Sequence, residues 1–223
     1  MNSDRLTSFL RQLPYFAFIS EDQLEKLSRN AIHHLFAPDQ IIFLEGEESS
    51  GLLILEEGRV KAFKLSPDGQ EYILRFFGPG DVINILATLD NLPNVANAMA
   101  VTQVEAWMIP VEVFSAALHA DHELSLAILG GLVGRMRELV GRVEDLALRP
   151  ITARLARFLL EQIKDPSLSH PAVTRVLIAN YLATTPESIS RSLRNLETAG
   201  AIQFDRHRII IIDLKILRQK AQI

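Results

Sequence analysis

The sequence contains no cysteine. This excludes disulfides, thiolate zinc sites and cysteine-ligated iron–sulfur clusters. It also lacks a run of about 18 apolar residues, the length that a membrane-spanning helix requires. Residues 1–11 show no basic start followed by an apolar stretch, so no secretory signal is predicted. We therefore expect a cytoplasmic protein without a membrane partner.

Composition favours a folded protein of two small domains. Hydrophobic residues make up 48% and charged residues 22% of the 223 residues, a balance typical of globular chains. The net charge of −4 conceals an asymmetry, since the chain from Arg149 onward carries +6 and the preceding part −10. A basic C-terminal third on an acidic body indicates a face for a polyanion, with chance clustering as the alternative.

The N-terminal half changes its hydrophobic period. Leucines at helical spacing predict helix over residues 4–30, broken at Pro14. Short β-type runs then alternate with glycines, and Pro67-Asp68-Gly69 is a hairpin-turn signal. The predicted strands are 40–44, 52–55, 60–65, 72–77 and 104–109. Strands at spacings of roughly ten residues predict an antiparallel sandwich or barrel.

Residues 120–147 are predicted to form one long helix. Its apolar residues follow a strict three-and-four alternation, which is typical of a coiled-coil seam. The seam residues are Leu129, Leu132, Met136, Leu139, Val143 and Leu146. An amphipathic helix lying on its own domain is the alternative, but the narrow stripe favours a homodimer. Arg149-Pro150 breaks this helix, and we place a hinge there.

The remaining residues predict a winged helix-turn-helix. Asp165-Pro166-Ser167 ends a helix that begins near Ile151, and Thr174 caps a short helix that ends at Leu182. After a turn at 183–185, a second helix runs from Pro186 to about Ala199, and residues 201–212 form a hairpin. The second helix of such a motif enters the DNA major groove.

The side chains of this second helix suit base recognition. Arg191 can donate two hydrogen bonds to guanine, Glu187 can accept one from cytosine, and Ser190 can reach either base type. The remaining arginines are better placed for phosphates, which set affinity but not sequence preference. These are Arg175, Arg194, Arg206 and Arg208. A winged helix that binds protein is the alternative.

From about residue 15 to 220 the chain resembles the cyclic-AMP receptor protein/fumarate–nitrate reduction regulator (CRP/FNR) family. The segments that carry the resemblance are Gly46-Glu47, 57–61, 68–71, 77–81 and, above all, Thr185-Pro186-Glu187-Ser188-Ile189-Ser190-Arg191-Ser192-Leu193. The resemblance implies an α+β fold class: an N-terminal antiparallel β-roll, cupin-like sensor domain over 1–118, a dimerisation helix over 119–148, and a C-terminal winged helix-turn-helix over 149–223.

Within the family, Glu187, Ser190 and Arg191 resemble the fumarate–nitrate branch. This implies a homodimer that reads an inverted repeat of TTGA-type half-sites, with Thr185 as a further phosphate contact. An activator in this family would have RNA polymerase as a partner. One departure is Ala183, which stands where the turn usually has glycine, so a positive φ there would be strained.

The sensor segment departs from the family's nucleotide cassette. Its Gly-Glu-Leu is replaced by Asn84-Ile85-Leu86, and its phosphate-binding Arg-Ser by Asn94-Val95. Burying a phosphate without its arginine is unfavourable, which argues against cyclic AMP. We expect an apolar pocket instead, lined by Ile85, Leu86, Asn94, Val95, Leu139 and Val140.

The sequence is compatible with several effectors. The family's nitric-oxide-responsive branch shares this recognition helix, lacks cysteine clusters and is thought to use haem, so haem is one candidate. The histidines are His33, His34, His119, His122, His170 and His207, and none falls in the predicted pocket segments. A small apolar or carboxylate metabolite, or a sensor without an effector, are the other options.

Two classes of function remain to be compared. The helix-turn-helix and the basic C-terminal third favour a transcription regulator over the alternative, a cyclic-nucleotide-type regulatory module acting on a protein partner. An enzyme is not expected, since the sequence shows no nucleophile elbow, phosphate-cradling glycine loop or metal-ligand spacing.

Overall fold

The computed structural model describes residues 2–164, 173–205 and 208–223. The chain forms two compact units. The first comprises Met1–Val60 and Phe77–Val140, and the second comprises Lys61–Phe76 and Gly141–Ile223. Among the described residues, no helix has both the length and the apolar character needed to cross a bilayer.

The elements follow one another as helices, strands and then helices with a small hairpin. The helices are α1 (Asn2–Leu10), α2 (Glu21–Asn30), α3 (Ile85–Asp90), α4 (Val111–Ala120), α5 (His122–Leu148), α6 (Ile151–Lys164), α7 (Arg175–Tyr181), α8 (Pro186–Thr198) and α9 (Leu214–Lys220). The strands are β1 (Ile32–Phe36), β2 (Ile41–Phe43), β3 (Gly51–Glu57), β4 (Val60–Leu65), β5 (Glu71–Phe77), β6 (Val82–Ile83), β7 (Asn97–Ala100), β8 (Val104–Pro110), β9 (Ile202–Phe204) and β10 (Ile209–Ile211).

The first unit is built on antiparallel strands. One sheet has the order β1-β8-β3-β6, and β2 pairs with β7. Trp107 of β8 pairs with His33 of β1 on one side and with Ile54 of β3 on the other. These pairs fix the register of the three strands. Five consecutive residues of β3 are buried, so both faces of this strand are covered. Helices α1, α2 and α4 cover one face with leucine and phenylalanine side chains.

Helix α5 begins immediately after Asp121. The Asp121 carboxylate accepts a hydrogen bond from the backbone N–H of Leu124 at 3.0 Å, which satisfies one of the free amides of the first turn. The helix has 27 residues, so its length is about 40 Å. It ends at Leu148, and α6 begins at Ile151. The helix break predicted at Arg149-Pro150 is observed.

The second unit joins a hairpin to the C-terminal helices. The β4–β5 hairpin turns at Gly69, whose φ of +82° suits glycine, and Ser66 N–H donates to the Gln70 carbonyl oxygen at 2.9 Å. Helices α6, α7, α8 and α9 pack around a common core. Its buried residues include Leu155, Phe158, Leu159, Ile178, Leu193, Leu196 and Leu217.

The predicted fold class is confirmed: antiparallel sheets, a long helix and a C-terminal helix-turn-helix with a hairpin are all present. The N-terminal helical segment is broken around Pro14 as predicted, and it forms two helices, α1 and α2, separated by residues 11–20. Pro14 cannot donate an interior helical hydrogen bond, and Ser20 caps the second helix by accepting from the Gln23 N–H. Strands β1, β6 and β7 and helices α3 and α4 were not predicted.

Candidate nucleic-acid interface

Helix α7 is the first helix of the motif. The Thr174 hydroxyl accepts a hydrogen bond from Leu177 N–H at 3.3 Å and so caps the helix. Ile178 and Ala179 are buried against the second helix of the motif, while Val176 is exposed. This packing fixes one side of the turn that follows.

The turn between α7 and α8 contains a residue in the left-handed region. Ala183 has φ of +48°, as its position in the motif led us to expect. Leu182 N–H donates to Ile178 O at 2.9 Å and Thr184 N–H to Ala179 O at 3.0 Å, so the turn is held by main-chain hydrogen bonds. An alanine in this region costs about 1 kcal/mol relative to glycine.

Helix α8 is fixed at its start and along one face. Its N-cap, Thr185, accepts a hydrogen bond from Ser188 N–H, and Pro186 occupies the first helical position. Ile189, Leu193 and Leu196 are fully buried. Spaced four and three residues apart, they anchor the helix from one side and leave the opposite side free for a ligand.

The outward face of α8 carries the three residues predicted to contact bases. Glu187 and Arg191 are exposed, and Arg194 lies one turn further along. Ser190 is half-buried, and its hydroxyl donates to the Pro186 carbonyl oxygen at 2.9 Å. Arg191 Nη2 donates to Ser188 Oγ at 3.1 Å. Two charged groups of opposite sign thus stand on the first turns of the helix.

Glu187 is held in its ionised form. Its own backbone N–H and the Thr185 hydroxyl both donate to the carboxylate and lower the pKa of Glu187, and the nearby Arg191 charge lowers it further. The carboxylate also lies at the positive end of the helix dipole. It is therefore available as a hydrogen-bond acceptor at neutral pH.

The predicted phosphate contacts have different surroundings. Arg175 donates to the Asp205 carbonyl oxygen and lies over the Phe204 ring, with Cζ 5.3 Å from the ring centroid, so it supports the start of the wing. The side chain of Arg208 is exposed, and its backbone N–H donates to Asp205 Oδ1 at 2.8 Å. Arg206 lies outside the described residues, as do His170, His207 and the predicted helix end at 165–167.

The β4–β5 hairpin contacts the helix-turn-helix within the second unit. The Arg142 guanidinium donates to the main-chain oxygens of Ile73 and Leu74 in β5. It also donates to the Tyr181 carbonyl oxygen of α7 at 3.1 Å. Glu71 adds a second link, since it accepts from Lys61 Nζ at 2.6 Å and from Asn180 Nδ2 at 3.3 Å.

Charged groups also bridge the break between α5 and α6. Asp145 accepts from Arg149 Nε at 2.8 Å through one carboxylate oxygen and pairs with Arg157 Nε at 3.0 Å through the other. Arg149 also pairs with Glu144 at 2.9 Å. Glu144 and Asp145 lie at the end of α5, Arg149 lies in the break and Arg157 lies in the middle of α6, so the ion pairs connect both helices across the predicted hinge.

Comparison with known proteins supports both halves of this description. Residues 33–121 match the cyclic nucleotide-binding domain family, and residues 153–220 match the Crp-like helix-turn-helix domain family. The transcriptional regulator LdrP of Thermus thermophilus is 31% identical over 193 residues, covering 83% of this chain and 95% of the relative. The chain belongs to the CRP/FNR family of bacterial transcription regulators.

Other relatives of this CRP/FNR-family protein agree. A CRP-like cAMP-activated global transcriptional regulator of Mycobacterium tuberculosis is 25% identical over 194 residues, covering 84% of this chain and 87% of the relative. The structure of FixK2 from Bradyrhizobium japonicum superposes with a TM-score of 0.76 at 24% identity, covering 85% of this chain and 96% of that one, and supports the fold alone. The protein is a transcription regulator with a helix-turn-helix DNA-binding domain, and its relatives are regulators rather than enzymes.

The predicted dimer seam of this family member is mostly exposed. Leu129, Met136, Leu139, Val143 and Leu146 are between 51% and 68% exposed. Leu132 differs, since it is half-buried against the core of the first unit. Three residues that the seam prediction did not include, Leu126, Val133 and Val140, are also exposed at 47% to 63%. The apolar stripe is therefore wider than the sequence pattern indicated.

The predicted effector residues have four different environments. Ile85 packs against the core of the first unit. Asn94 is buried and donates from Nδ2 to the Leu44 carbonyl oxygen at 3.1 Å, so it holds the preceding loop. Leu86 and Val95 are about half exposed, at 48% and 49%. Leu139 and Val140 belong to the exposed stripe of α5.

The residues that sequence reasoning missed are those that connect elements. Lys61 and Glu71 fall in segments that carry the family resemblance, but nothing in the sequence marks them or Arg142 as contacts between elements. The position of Lys61 within a buried strand could have indicated a contact, because a buried lysine needs a charged partner. Arg142 gave no such indication, since an arginine on a polar helix face is ordinarily solvated.

Proposed function

We propose that this regulator acts as a homodimer that reads an inverted repeat of TTGA-type half-sites. The observation that carries the proposal is the outward face of α8, where Glu187 and Arg191 are exposed on the first two turns. Residues near the N-terminus of a recognition helix lie closest to the base edges in the major groove. The opposite face is anchored by buried Ile189, Leu193 and Leu196.

Each base contact has a chemical role in this proposal. Arg191 donates to O6 and N7 of the half-site guanine, and the ionised Glu187 accepts from the N4 amino group of cytosine. Ser190 contacts a neighbouring base after its hydroxyl leaves the Pro186 carbonyl oxygen. Backbone contacts come from Thr185, Arg175, Arg194, Arg206 and Arg208.

The exposed face of α5 supports dimerisation through this helix. An apolar stripe of at least eight residues on one helix is unusual on a surface that stays in water. Pairing of two such stripes buries both and places two recognition helices about one DNA turn apart. We propose residues 119–148 as the dimerisation helix between a sensor domain at 1–118 and a DNA-binding domain at 149–223.

The effector is proposed to be apolar and other than cyclic AMP. The relative from Mycobacterium tuberculosis is described as cAMP-activated. In this chain, however, the neutral Asn94 occupies the place of the phosphate arginine, and its amide nitrogen is already engaged by Leu44. Ile85 packs into the core where the cassette has its acid. These residues supply neither the cation nor the acceptor that a cyclic nucleotide needs.

We propose that effector binding is transmitted to the DNA-binding helices through the β4–β5 hairpin. Arg142 links the hairpin to α7, and Glu71 links it to Asn180. A shift of the hairpin on effector binding would move α7 and the α5–α6 hinge together. If the protein activates transcription, RNA polymerase is its further partner.

Selection of bound duplexes from random DNA tests the site prediction. We expect the full chain to enrich an inverted repeat containing TTGA, and recovery of an unrelated or non-palindromic sequence would contradict it. Selections run with haem, with cyclic AMP and without either ligand test the effector. Calorimetry should detect no cyclic AMP binding. A Soret band that shifts from its position in free haem and saturates at one haem per chain would support haem as the apolar effector, and the absence of this shift would leave an apolar metabolite.

A further inference from the structure

Three metal-ligating side chains meet on one sheet of the first unit. His33 lies on β1, Glu105 on β8 and Glu56 on β3, and one nitrogen or oxygen atom from each lies within 4.8 Å of the others. His33 Nε2 is 3.5 Å from Glu105 Oε2. Ligands of one Zn²⁺ ion, each at about 2.0–2.2 Å, lie roughly 3–4 Å apart, so the group is close to a coordination geometry.

Neighbouring side chains orient two of these ligands. Trp107 Nε1 donates to Glu56 Oε2 at 2.7 Å, and the His33 ring packs on the Trp107 ring with centroids 4.6 Å apart. His33 Nε2 is itself buried and makes no hydrogen bond among the described residues. Side chains that bind metal ions are usually held in position by neighbouring groups. His33 and Glu56 are held in this way, and His33 Nε2 has no other partner among the described residues.

The position between the carboxylates is occupied by the side chain of Arg5. Its Nε is 2.9 Å from Glu56 Oε1, and its Nη2 is 3.5 Å from Glu105 Oε2. The guanidinium offsets the charge of two partly buried carboxylates, but among the described residues neither it nor any other group makes a hydrogen bond to His33 Nε2. Arg5 is 53% exposed, so its side chain is free to leave toward solvent.

We propose that His33, Glu56 and Glu105 bind a divalent transition-metal ion that displaces the Arg5 side chain. The mixed imidazole and carboxylate donor set suits Zn²⁺, Co²⁺ and related ions. The ion supplies the positive charge that Arg5 otherwise provides. It also binds the His33 Nε2 atom, which otherwise has no hydrogen-bond partner among the described residues. This site is independent of the proposed DNA contacts, because it involves only β1, β3, β8 and α1.

The test is metal binding by the full chain without a histidine tag. Co²⁺ is followed by its visible absorbance and Zn²⁺ by calorimetry. Arg5→Ala removes the competing cation and should tighten binding by at least about tenfold. Arg11→Ala is the matched control, since Arg11 is also on the N-terminal segment, is 50% exposed and pairs with a glutamate. It should leave the affinity unchanged.

Variants of the ligands complete the test. Glu105→Gln keeps the shape of the side chain and should weaken Zn²⁺ binding by more than about tenfold, in the wild-type and Arg5→Ala backgrounds alike. His33→Gln should do the same, and circular dichroism confirms that each variant is folded. The proposal is overturned if neither the wild type nor Arg5→Ala binds one ion per chain. It is equally overturned if Glu105→Gln leaves the affinity of Arg5→Ala unchanged.

Discussion

The guanidinium of Arg142 lies over the ring of Tyr181, with Cζ 4.3 Å from the ring centroid. The same group donates to the Tyr181 carbonyl oxygen and to main-chain oxygens of β5. One side chain of α5 therefore contacts both the β4–β5 hairpin and the first helix of the DNA-binding motif. Phe76 and Phe158 flank the same ring at 5.5 Å and 5.3 Å between centroids.

Replacing Arg142 should destabilise this junction. Arg142→Gln leaves the carbonyl oxygens of Ile73, Leu74 and Tyr181 without their charged donor, and we expect a loss of about 2 kcal/mol in the free energy of unfolding. Urea denaturation at a fixed chain concentration measures it. Arg218→Gln, which changes an exposed arginine on α9, should cost less than about 0.5 kcal/mol. Equal effects of the two substitutions would contradict the role of Arg142.

The left-handed turn residue predicts a stabilising substitution. Ala183→Gly removes the clash of Cβ at φ of +48°, and we expect the free energy of unfolding to rise by about 1 kcal/mol. Ala199, with φ of −76°, is the matched control, and Ala199→Gly should lower stability by about 0.5–1 kcal/mol. Thermal unfolding of both variants measures these two changes in stability. Destabilisation by Ala183→Gly would show that the turn is not strained.

The environment of Glu187 predicts a pH dependence. Because its pKa is lowered in the folded protein, ionised Glu187 contributes stability above the ordinary pKa of glutamate, and this is lost as the pH falls through the lowered value. Glu187→Gln should therefore be less stable than the wild type at pH 7, and the difference should shrink as the pH falls below about 4. A constant difference for Glu187→Gln would be inconsistent with the lowered pKa.

The exposed stripe of α5 predicts the oligomeric state. Val140→Asp places a charge within the apolar surface and should convert the dimer to a monomer in sedimentation analysis, because a buried unpaired carboxylate is strongly unfavourable. Glu138→Lys, on a different side of the same helix, should remain dimeric. If Val140→Asp sediments as the wild type does, chain association does not use this stripe.

Local sequence signals predicted the C-terminal half well. Thr174 caps α7 as expected, because a cap acts on N–H groups within three residues, and Thr185 and Asp213 cap α8 and α9 in the same way. Strand β7 was missed because Asn97–Ala100 contains no β-branched or aromatic residue, and its extended form depends on pairing with β2. Strand β1 was missed for a related reason, since Ile32 and Leu35 are exposed and give no alternating pattern.

In the candidate site as well, features set by neighbouring residues could be predicted, whereas contacts between distant residues could not. The order Glu187, Ser190, Arg191 places these residues on one helical face by spacing alone. In contrast, the partners of Arg175 and Arg142 lie 30 to 69 residues away. Contacts at such separations depend on tertiary packing, which a single sequence does not specify. The wider stripe on α5 also required the structure, because Leu132 turns toward the core while Val133 faces solvent.

The most direct test of the account is the effect of Arg191→Ala on DNA preference. Fluorescence anisotropy at one salt concentration compares a TTGA inverted repeat with a scrambled duplex of the same composition. We expect the wild type to prefer the repeat and Arg191→Ala to lose about 1–3 kcal/mol of that preference per half-site, while Arg218→Ala keeps it. An equal loss of affinity by Arg191→Ala on both duplexes would contradict the assignment of α8 as the base-reading helix.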